Sequence, residues 1–266
     1  MTTIPDHQPT TLYSPSKMDL VQIQDVKVVF DGFKALDIGY FGVDRNELRV
    51  VIGPNGAGKT TLCDVISGKT KVTSGTVVFD DVDITHLRDT DIAALGVGRK
   101  FQTPTVFDSL TVYENMELAL PRRWKVRQNM FGRERAEQRD AIMTILQRVH
   151  LEDAVRTESR HLSHGQRQWL EISMLMVAKP KLLLVDEPAA GLTDKETALT
   201  AELLNELKGN HTIIVIEHDM EFVRVLNSRV TVFCEGKVLA DGTLEQVQTD
   251  PEVMKAYLGR GKERGK

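Results

Sequence analysis

The stretch Ile52-Gly53-Pro54-Asn55-Gly56-Ala57-Gly58-Lys59-Thr60-Thr61 decides the fold of this 266-residue chain. A short apolar run over 48–52 precedes it, and a stretch with helical character over 59–67 follows it. The glycines let the backbone curl so that several N–H groups point at one anion, and the start of the helix adds partial positive charge. Every fixed position of the pattern GxxxxGK(S/T) is filled in a strand–loop–helix context, which predicts a loop that binds nucleotide phosphates.

We expect this phosphate loop, residues 53–60, to bind ATP together with Mg²⁺. The Lys59 ammonium would place a positive charge between the β- and γ-phosphates, and the Thr60 hydroxyl would bind the metal ion. The residues expected to contact the nucleotide are Gly53, Pro54, Asn55, Gly56, Ala57, Gly58, Lys59, Thr60 and Thr61.

Two further predicted strands end in side chains that suit phosphate chemistry. The apolar run 182–185 is followed by Asp186 and Glu187. Asp186 can hold Mg²⁺, directly or through water, and Glu187 is then placed to orient or deprotonate the attacking water. His218 follows the predicted strand 212–217, at the carboxyl end of the sheet, where such folds bind ligands. We therefore expect His218 to contact the γ-phosphate and to stabilise the arrangement of water and Glu187.

Strands and helices alternate in the second half of the chain, which predicts a parallel sheet with helices on its faces. In the first half, predicted strands surround one helix, and a mainly helical region follows in which Thr111 and Glu114 form a capping box. The predicted strands are 20–30, 48–52, 75–79, 182–185 and 212–216, the predicted helices are 59–67, 166–178, 193–207 and 219–226, and a hairpin is predicted over 229–239.

Composition narrows the class of protein. A net charge of -4 and a pI of about 6.0 argue against a general nucleic-acid binder. No apolar run approaches the roughly 18 residues that a spanning helix needs, so we expect any work at a membrane to go through partners. Cys63 and Cys234 lie in different apolar segments, which favours two reduced, buried thiols. We expect a disordered tail over 1–17, one domain over 18–260 and a loose end over 261–266.

One pentapeptide completes a family pattern. Leu162-Ser163-His164-Gly165-Gln166 resembles the LSGGQ signature of ATP-binding cassette (ABC) proteins, with His164 in place of the first glycine. The resemblance covers about 18–260, because the phosphate loop, this signature segment, the Asp186–Glu187 pair and His218 occur in the family's order. It implies an α/β P-loop cassette with a mainly parallel core sheet, an antiparallel β subdomain and an α-helical subdomain at about 103–178.

The resemblance also implies roles for individual residues. Phe30 matches the aromatic residue that stacks on adenine, although Phe33 is close enough to do so instead. Gln102 matches the glutamine that reaches Mg²⁺ and the water and that communicates with the membrane subunit. Asp194 matches an aspartate at the dimer interface. The residues that match groups closing over the partner subunit's ATP are Ser163, Gly165 and Gln166.

A finer resemblance is to the branched-chain amino-acid and amide group of uptake transporters, carried by the stretches 52–61, 98–104, 186–191 and 217–220. Within it, the stretches 162–171 and 217–224 look most like the urea-type ATP-binding subunit. The resemblance implies an ATPase at the cytoplasmic face of the cell membrane, paired head to tail with a second cassette. Its other partners would be two transmembrane permease subunits and, indirectly, an extracytoplasmic solute-binding protein.

Three alternatives stay open at this point. An exporter cassette, for lipid or polysaccharide, is the nearest competitor. A non-transport ABC ATPase would usually carry coiled-coil arms or a second cassette, and a catalytically dead regulator would need a broken Lys59, Glu187 or His218.

The basic stretch 121–140 has seven arginines and lysines interleaved with Trp124, Met130 and Phe131. It is either a solvated helical face or a surface that faces the membrane.

Overall fold

The computed structural model describes residues 19–100, 106–120 and 132–258. The predictions for the tail over 1–17 and for the end over 261–266 lie outside these residues. Gln102 and most of the basic stretch 121–140 lie outside them as well.

A six-stranded sheet forms the centre of the fold, in the order β10-β9-β3-β8-β7-β6. All neighbouring strands are parallel except β10, which pairs antiparallel with β9. Three strands, β3, β7 and β8, are buried at every position, and all their residues except Arg49, Asp186 and Thr212 are apolar, as expected of central strands in a parallel sheet. The strands are β3 (Leu48–Ile52), β6 (Val97–Lys100), β7 (Leu182–Asp186), β8 (Thr212–Ile216), β9 (Arg229–Cys234) and β10 (Lys237–Gly242).

A second, antiparallel sheet has the order β2-β1-β4-β5. Its strands are β1 (Asp19–Phe30), β2 (Phe33–Asp44), β4 (Ser74–Phe79) and β5 (Val82–Asp83). The sequence did not lead us to predict β2, because Gly39 and Gly42 interrupt its apolar pattern. The signal that could have found it is Asp31-Gly32, which joins β1 to β2 with both residues at positive φ, 46° and 85°. A two-residue Asp-Gly loop of this kind is typical of a tight hairpin.

Helices cover both faces of the central sheet and continue to the C-terminal end of the described chain. They are α1 (Lys59–Ile66), α2 (Asp89–Leu95), α3 (Val112–Ala119), α4 (Gly132–Arg148), α5 (His164–Val177), α6 (Asp194–Leu207), α7 (Met220–Leu226), α8 (Leu244–Thr249) and α9 (Pro251–Leu258). The predicted capping box at Thr111 and Glu114 is confirmed, and Ser163–Gln166 and Thr193–Glu196 form two more. None of the helices in the described ranges combines the length and apolarity needed to cross a membrane.

The central sheet separates two apolar cores. Along β3, for example, Val50 belongs to the core shared with α3, α5 and α6, whereas Val51 belongs to the core shared with β1, β2 and α1. This alternation follows from the period of two along a strand. Cys63 is buried in the second core as predicted, but Cys234 is only half-buried, because it ends β9 beside the hairpin turn. Neither cysteine forms a disulfide among the described residues.

Candidate active site

The phosphate loop joins the buried strand β3 to helix α1, and its glycines have conformations that other residues adopt at a cost. Gly53, Gly56 and Gly58 have φ values of 154°, 79° and 97°. A Cβ on Gly58 would lie 2.7 Å from the carbonyl oxygen of Ala35 and 2.7 Å from Leu36 Cδ2. A Cβ on Gly53 would collide with the carbonyl oxygen of Phe233. Backbone conformation and close packing therefore both require glycine here.

The Lys59 ammonium group lies against carbonyl oxygens of its own phosphate loop. Lys59 Nζ donates to the carbonyl oxygens of Gly53 at 2.7 Å and of Pro54 at 3.2 Å. Burial lowers the pKa of Lys59, and the charges of Glu187 and Asp186 oppose that shift. Helix α1 begins after Gly58 with no side-chain cap. Its first N–H groups are therefore left for an anion, as in other phosphate-binding loops.

Two of the three residues predicted to hold Mg²⁺, Thr60 and Asp186, lie within reach of each other, and the third, Gln102, lies outside the described residues. Thr60 Oγ1 donates to Asp186 Oδ2 at 3.4 Å, and Asp186 is only 2% exposed. Asp186 Oδ1 is buried without a hydrogen-bond partner among the described residues. Burial, and then the charge of neighbouring Glu187, raises the pKa of the Asp186 carboxyl. A cation would relieve both effects, so the site fits Mg²⁺.

The described residues contain no cluster of three or more His, Cys, Asp or Glu side chains that could hold a metal ion. Mg²⁺ is commonly bound through one or two protein groups, with water and substrate phosphates completing its shell. Thr60 and Asp186 are such a pair. When bound, the ion would neutralise charge on the phosphates.

Glu187 follows β7 directly and has a left-handed backbone, with φ of 48°. Its N–H donates to the carbonyl oxygen of Ile216 at 2.9 Å, which anchors it to the end of the neighbouring strand β8. Left-handed backbone costs a residue other than glycine about 1 kcal/mol or more and is concentrated at functional sites. His218 Nδ1 lies 3.6 Å from Glu187 Oε1. Two of the three predicted catalytic side chains, Glu187 and His218, are therefore neighbours, although 31 positions separate them in the sequence.

The sequence did not lead us to predict a role for Glu217, yet this carboxylate connects the loops of the site. It is fully buried at the end of β8. Its Oε2 accepts hydrogen bonds from the N–H groups of His218 at 2.9 Å and Asp219 at 3.2 Å, and its Oε1 accepts from Ala189 at 3.0 Å. The signal that could have found it is a carboxylate placed directly after five apolar or β-branched residues of a buried strand.

The signature segment lies apart, at the start of α5. Ser163 Oγ accepts from the Gln166 N–H at 3.2 Å, and Gln166 Oε1 accepts from the Ser163 N–H at 3.0 Å. Gly165 is pressed against Glu196 near the start of α6, where a Cβ would collide with the Glu196 carboxylate. Asp194 is the first residue of α6. These hydrogen bonds of Ser163 and Gln166 stay at the start of α5, and Gly165 packs against α6, so none of these contacts reaches the chain's own phosphate loop.

Phe30 and Phe33 flank the turn between β1 and β2 and pair across it. They are 48% and 66% exposed. Both therefore present aromatic surface that could stack on adenine, and the choice between them stays open.

Two protein families match this chain. The family described as ABC transporter matches residues 37–190, and the family described as Branched-chain amino acid ATP-binding cassette transporter matches residues 237–263. The High-affinity branched-chain amino acid transport ATP-binding protein LivG of Escherichia coli (strain K12) is 36% identical over 249 residues, which cover 90% of this chain and 98% of that protein.

Two solved structures extend the comparison to the fold. A nucleotide-free ATP-binding cassette from an ABC transporter has a TM-score of 0.78 and 29% identity, covering 90% of this chain and 99% of that one. A dimeric ATP-binding cassette in a post-hydrolysis state, bound to ADP and Pi, has a TM-score of 0.72 and 26% identity, covering 84% of this chain and 98% of that one.

The chain belongs to the ATP-binding subunits of ABC transporters. Within that family it falls in the branched-chain amino-acid transport group, and it is an ATPase whose hydrolysis of ATP is coupled to transport. The fold class and the family predicted from the sequence are thereby confirmed. The relatives do not favour an exporter or a non-transport ATPase. The finer prediction of a urea-type subunit is not confirmed.

Proposed function

We propose that Glu187 is the general base of this ATPase and that His218 holds it in place. The observation that carries this proposal is the 3.6 Å approach of His218 Nδ1 to Glu187 Oε1, beside the Thr60–Asp186 pair. Glu187 takes a proton from water as the water oxygen attacks the γ-phosphorus, and the bond to the β–γ bridging oxygen breaks. The products are ADP and phosphate. Gln102 joins this site through the family resemblance alone.

Lys59 and the phosphate loop orient the triphosphate. The Lys59 ammonium now lies on the carbonyl oxygens of Gly53 and Pro54, and phosphate oxygens would be stronger, charged acceptors for the same donor. Thr60 and Asp186 would hold Mg²⁺. The adenine would stack on Phe30 or Phe33, which lie on the antiparallel sheet.

A second cassette would complete the site. The Ser163 hydroxyl and the first N–H groups of α5 suit an anion, and no hydrogen bond among the described residues joins them to this chain's own phosphate loop. Pairing head to tail would bring Ser163, Gly165, Gln166 and Asp194 of one subunit to the ATP of the other. A similar cassette is dimeric in its post-hydrolysis state, which supports this arrangement.

The cargo we propose is a branched-chain amino acid, because LivG is named for that transport. A short amide or urea is the second candidate, supported by the sequence resemblance in 162–171 and 217–224. The subunit would act at the cytoplasmic face of the membrane with two permease subunits, and indirectly with a solute-binding protein. Uptake of labelled leucine and labelled urea by vesicles carrying the whole transporter distinguishes the two cargos.

The catalytic assignment is tested by Glu187→Gln. The variant keeps the shape of the side chain but cannot take a proton, so we expect ATP turnover to fall at least a hundredfold and a stable dimer to form with ATP. Size-exclusion chromatography with ATP measures the dimer, and phosphate release measures turnover. Glu235→Gln is the matched control, because Glu235 also has a left-handed backbone, with φ of 49°, but lies in the β9–β10 turn.

Two results would count against the proposal. A Glu187→Gln protein that turns over ATP like the wild type would remove Glu187 as the base. A variant that binds ATP but stays monomeric would remove the composite site. Lys59→Ala should abolish turnover because the loop loses its charge, and full activity in that variant would contradict the phosphate-loop assignment.

A further inference from the structure

The departure from the family signature at His164 places a ring against the loop that follows Glu187. We call residues 187–193 the post-base loop. His164 Nε2 lies 3.2 Å from the carbonyl oxygen of Ala190 and 3.0 Å from Gln168 Nε2. Gln168 Nε2 in turn donates to the same Ala190 oxygen at 3.0 Å. A glycine at position 164 would have no atom that could make this contact.

The Gln168 amide connects the His164 ring to Ala190. When the ring carries its proton on Nδ1, Gln168 Nε2 donates one hydrogen to the Ala190 oxygen and the other to His164 Nε2, so the ring reaches Ala190 through this amide. Gln168 is 4% exposed, and its Oε1 has no hydrogen-bond partner among the described residues. The ring also packs over Gly191, where an added Cβ would lie 3.3 Å from His164 Nε2.

The opposite side of the same loop is held by Glu217. The N–H of Ala189 donates to Glu217, and the carbonyl oxygen of Ala190 accepts from Gln168. Two consecutive residues, Ala189 and Ala190, are thus held between Glu217 and helix α5. Only two residues separate Ala190 from Glu187, and they span a tight turn in which the Ala190 N–H donates to the Glu187 carbonyl oxygen at 3.2 Å.

We propose that His164 is a positioning residue that links the start of α5 to the post-base loop, so that the state of the partner's ATP at the signature segment reaches Glu187 of the same subunit. The proposal rests on the composite site of the proposed function. It assigns His164 an action within its own chain, in addition to any contact with the partner's nucleotide. A shift of α5 would pull on Ala190 and, through the turn, on the base.

The test separates action through the loop from direct contact with ATP. His164→Ala removes the ring, and His164→Gln keeps an oxygen that can accept from the Gln168 amide. Turnover is measured as kcat and KM for ATP. The ATP concentration that half-forms the dimer is measured separately, with the same substitutions in the Glu187→Gln background. His161→Ala is the matched control, because His161 lies three residues earlier and is exposed to solvent.

We expect kcat to fall roughly three- to tenfold in His164→Ala, the factor that accompanies loss of about one neutral hydrogen bond. KM and the dimer midpoint should change less than twofold, and His164→Gln should recover at least half of kcat. Unchanged kcat in His164→Ala would overturn the proposal. A dimer midpoint weakened in proportion to kcat would overturn it too, since direct contact with ATP would then explain the loss. A Glu187→Gln protein that never dimerises would instead refute the composite site itself.

Discussion

Replacing Glu217 by glutamine tests whether the buried carboxylate sets the position of the catalytic loops. The carboxylate accepts three backbone N–H groups, from Ala189, His218 and Asp219, at 2.9–3.2 Å and with no exposure to solvent. Glutamine has one acceptor oxygen. If that oxygen stays with His218 and Asp219, the amide NH₂ faces the N–H of Ala189, and one hydrogen bond becomes a contact between two donors.

The magnitude follows from that exchange. A hydrogen bond to a charged acceptor contributes about 1.5–3 kcal/mol, and a buried donor left unsatisfied costs about 1–3 kcal/mol. We therefore expect Glu217→Gln to lower the free energy of unfolding by about 2–4 kcal/mol. Because the loss falls on the post-base loop and the loop of His218, we expect kcat to fall about 10- to 100-fold. Nucleotide affinity should hold, since the phosphate loop is untouched.

The assay compares urea unfolding, kcat and the affinity for a fluorescent ATP analogue in the same preparations. Glu114→Gln is the control, because Glu114 also accepts backbone and hydroxyl hydrogens in a capping box but does so at the start of α3. A Glu217→Gln protein with kcat within twofold of the wild type would refute the positioning argument. Loss of nucleotide affinity equal to the loss of kcat would refute it as well.

Three more substitutions test the phosphate loop, the Thr60–Asp186 pair and the buried hydrogen bonds of Asn115 in helix α3. Gly58→Ala adds a Cβ 2.7 Å from the Ala35 oxygen at φ of 97°, so it should cost about 2–5 kcal/mol of unfolding free energy and abolish binding of the ATP analogue. Asp186→Asn removes a buried charge whose pKa is raised by burial and by Glu187. An acid whose pKa is raised by folding destabilises the fold at every pH above its ordinary pKa, so at neutral pH the variant without nucleotide should be at least as stable as the wild type. It should nevertheless lose the extra thermal stabilisation that Mg²⁺ gives to the ATP-bound protein. Asn115→Ala should lower the free energy of unfolding, measured in urea, by about 2–4 kcal/mol. The fully buried Asn115 side chain accepts from the Phe107 N–H at 2.8 Å, and its amide donates to Ser159 Oγ at 2.9 Å and to the Thr111 carbonyl oxygen at 3.0 Å.

Each of these has a matched control. Gly209→Ala has a similar φ of 88° but open space around the added Cβ, so it should show only the conformational cost. Asp91→Asn changes an exposed carboxylate paired with Arg88, and Asn205→Ala removes one exposed hydrogen bond. If a control variant changes stability or nucleotide binding as much as the variant it is paired with, the argument for that pair is contradicted. The argument concerns packing for Gly58, charge for Asp186 and burial for Asn115.

Local sequence determined the parts of this protein that are contiguous in the chain. The loop after β3, the carboxylate pair after β7 and the histidine after β8 could be predicted because each follows a buried strand whose apolar run is visible in the sequence. Strand β6 was missed because it is four residues long, lies at the sheet edge and ends in Lys100, whose burial depends on Glu171, 71 positions away, with Nζ 3.8 Å from Oε2.

The sequence alone determined that this chain binds nucleotide phosphates and belongs to the ABC ATPases, since fixed residue types at fixed spacings encode a loop that needs few distant contacts. Only the tertiary structure decided that Glu217 holds the catalytic loops together and that His164 contacts Ala190. Those contacts join residues 28 and 26 positions apart. These contacts form because the parallel strands β7 and β8 end at the same edge of the sheet, and because α5 packs beside the post-base loop that follows β7. Hydrogen bonding across that edge depends on distance and burial, which residue spacing does not encode.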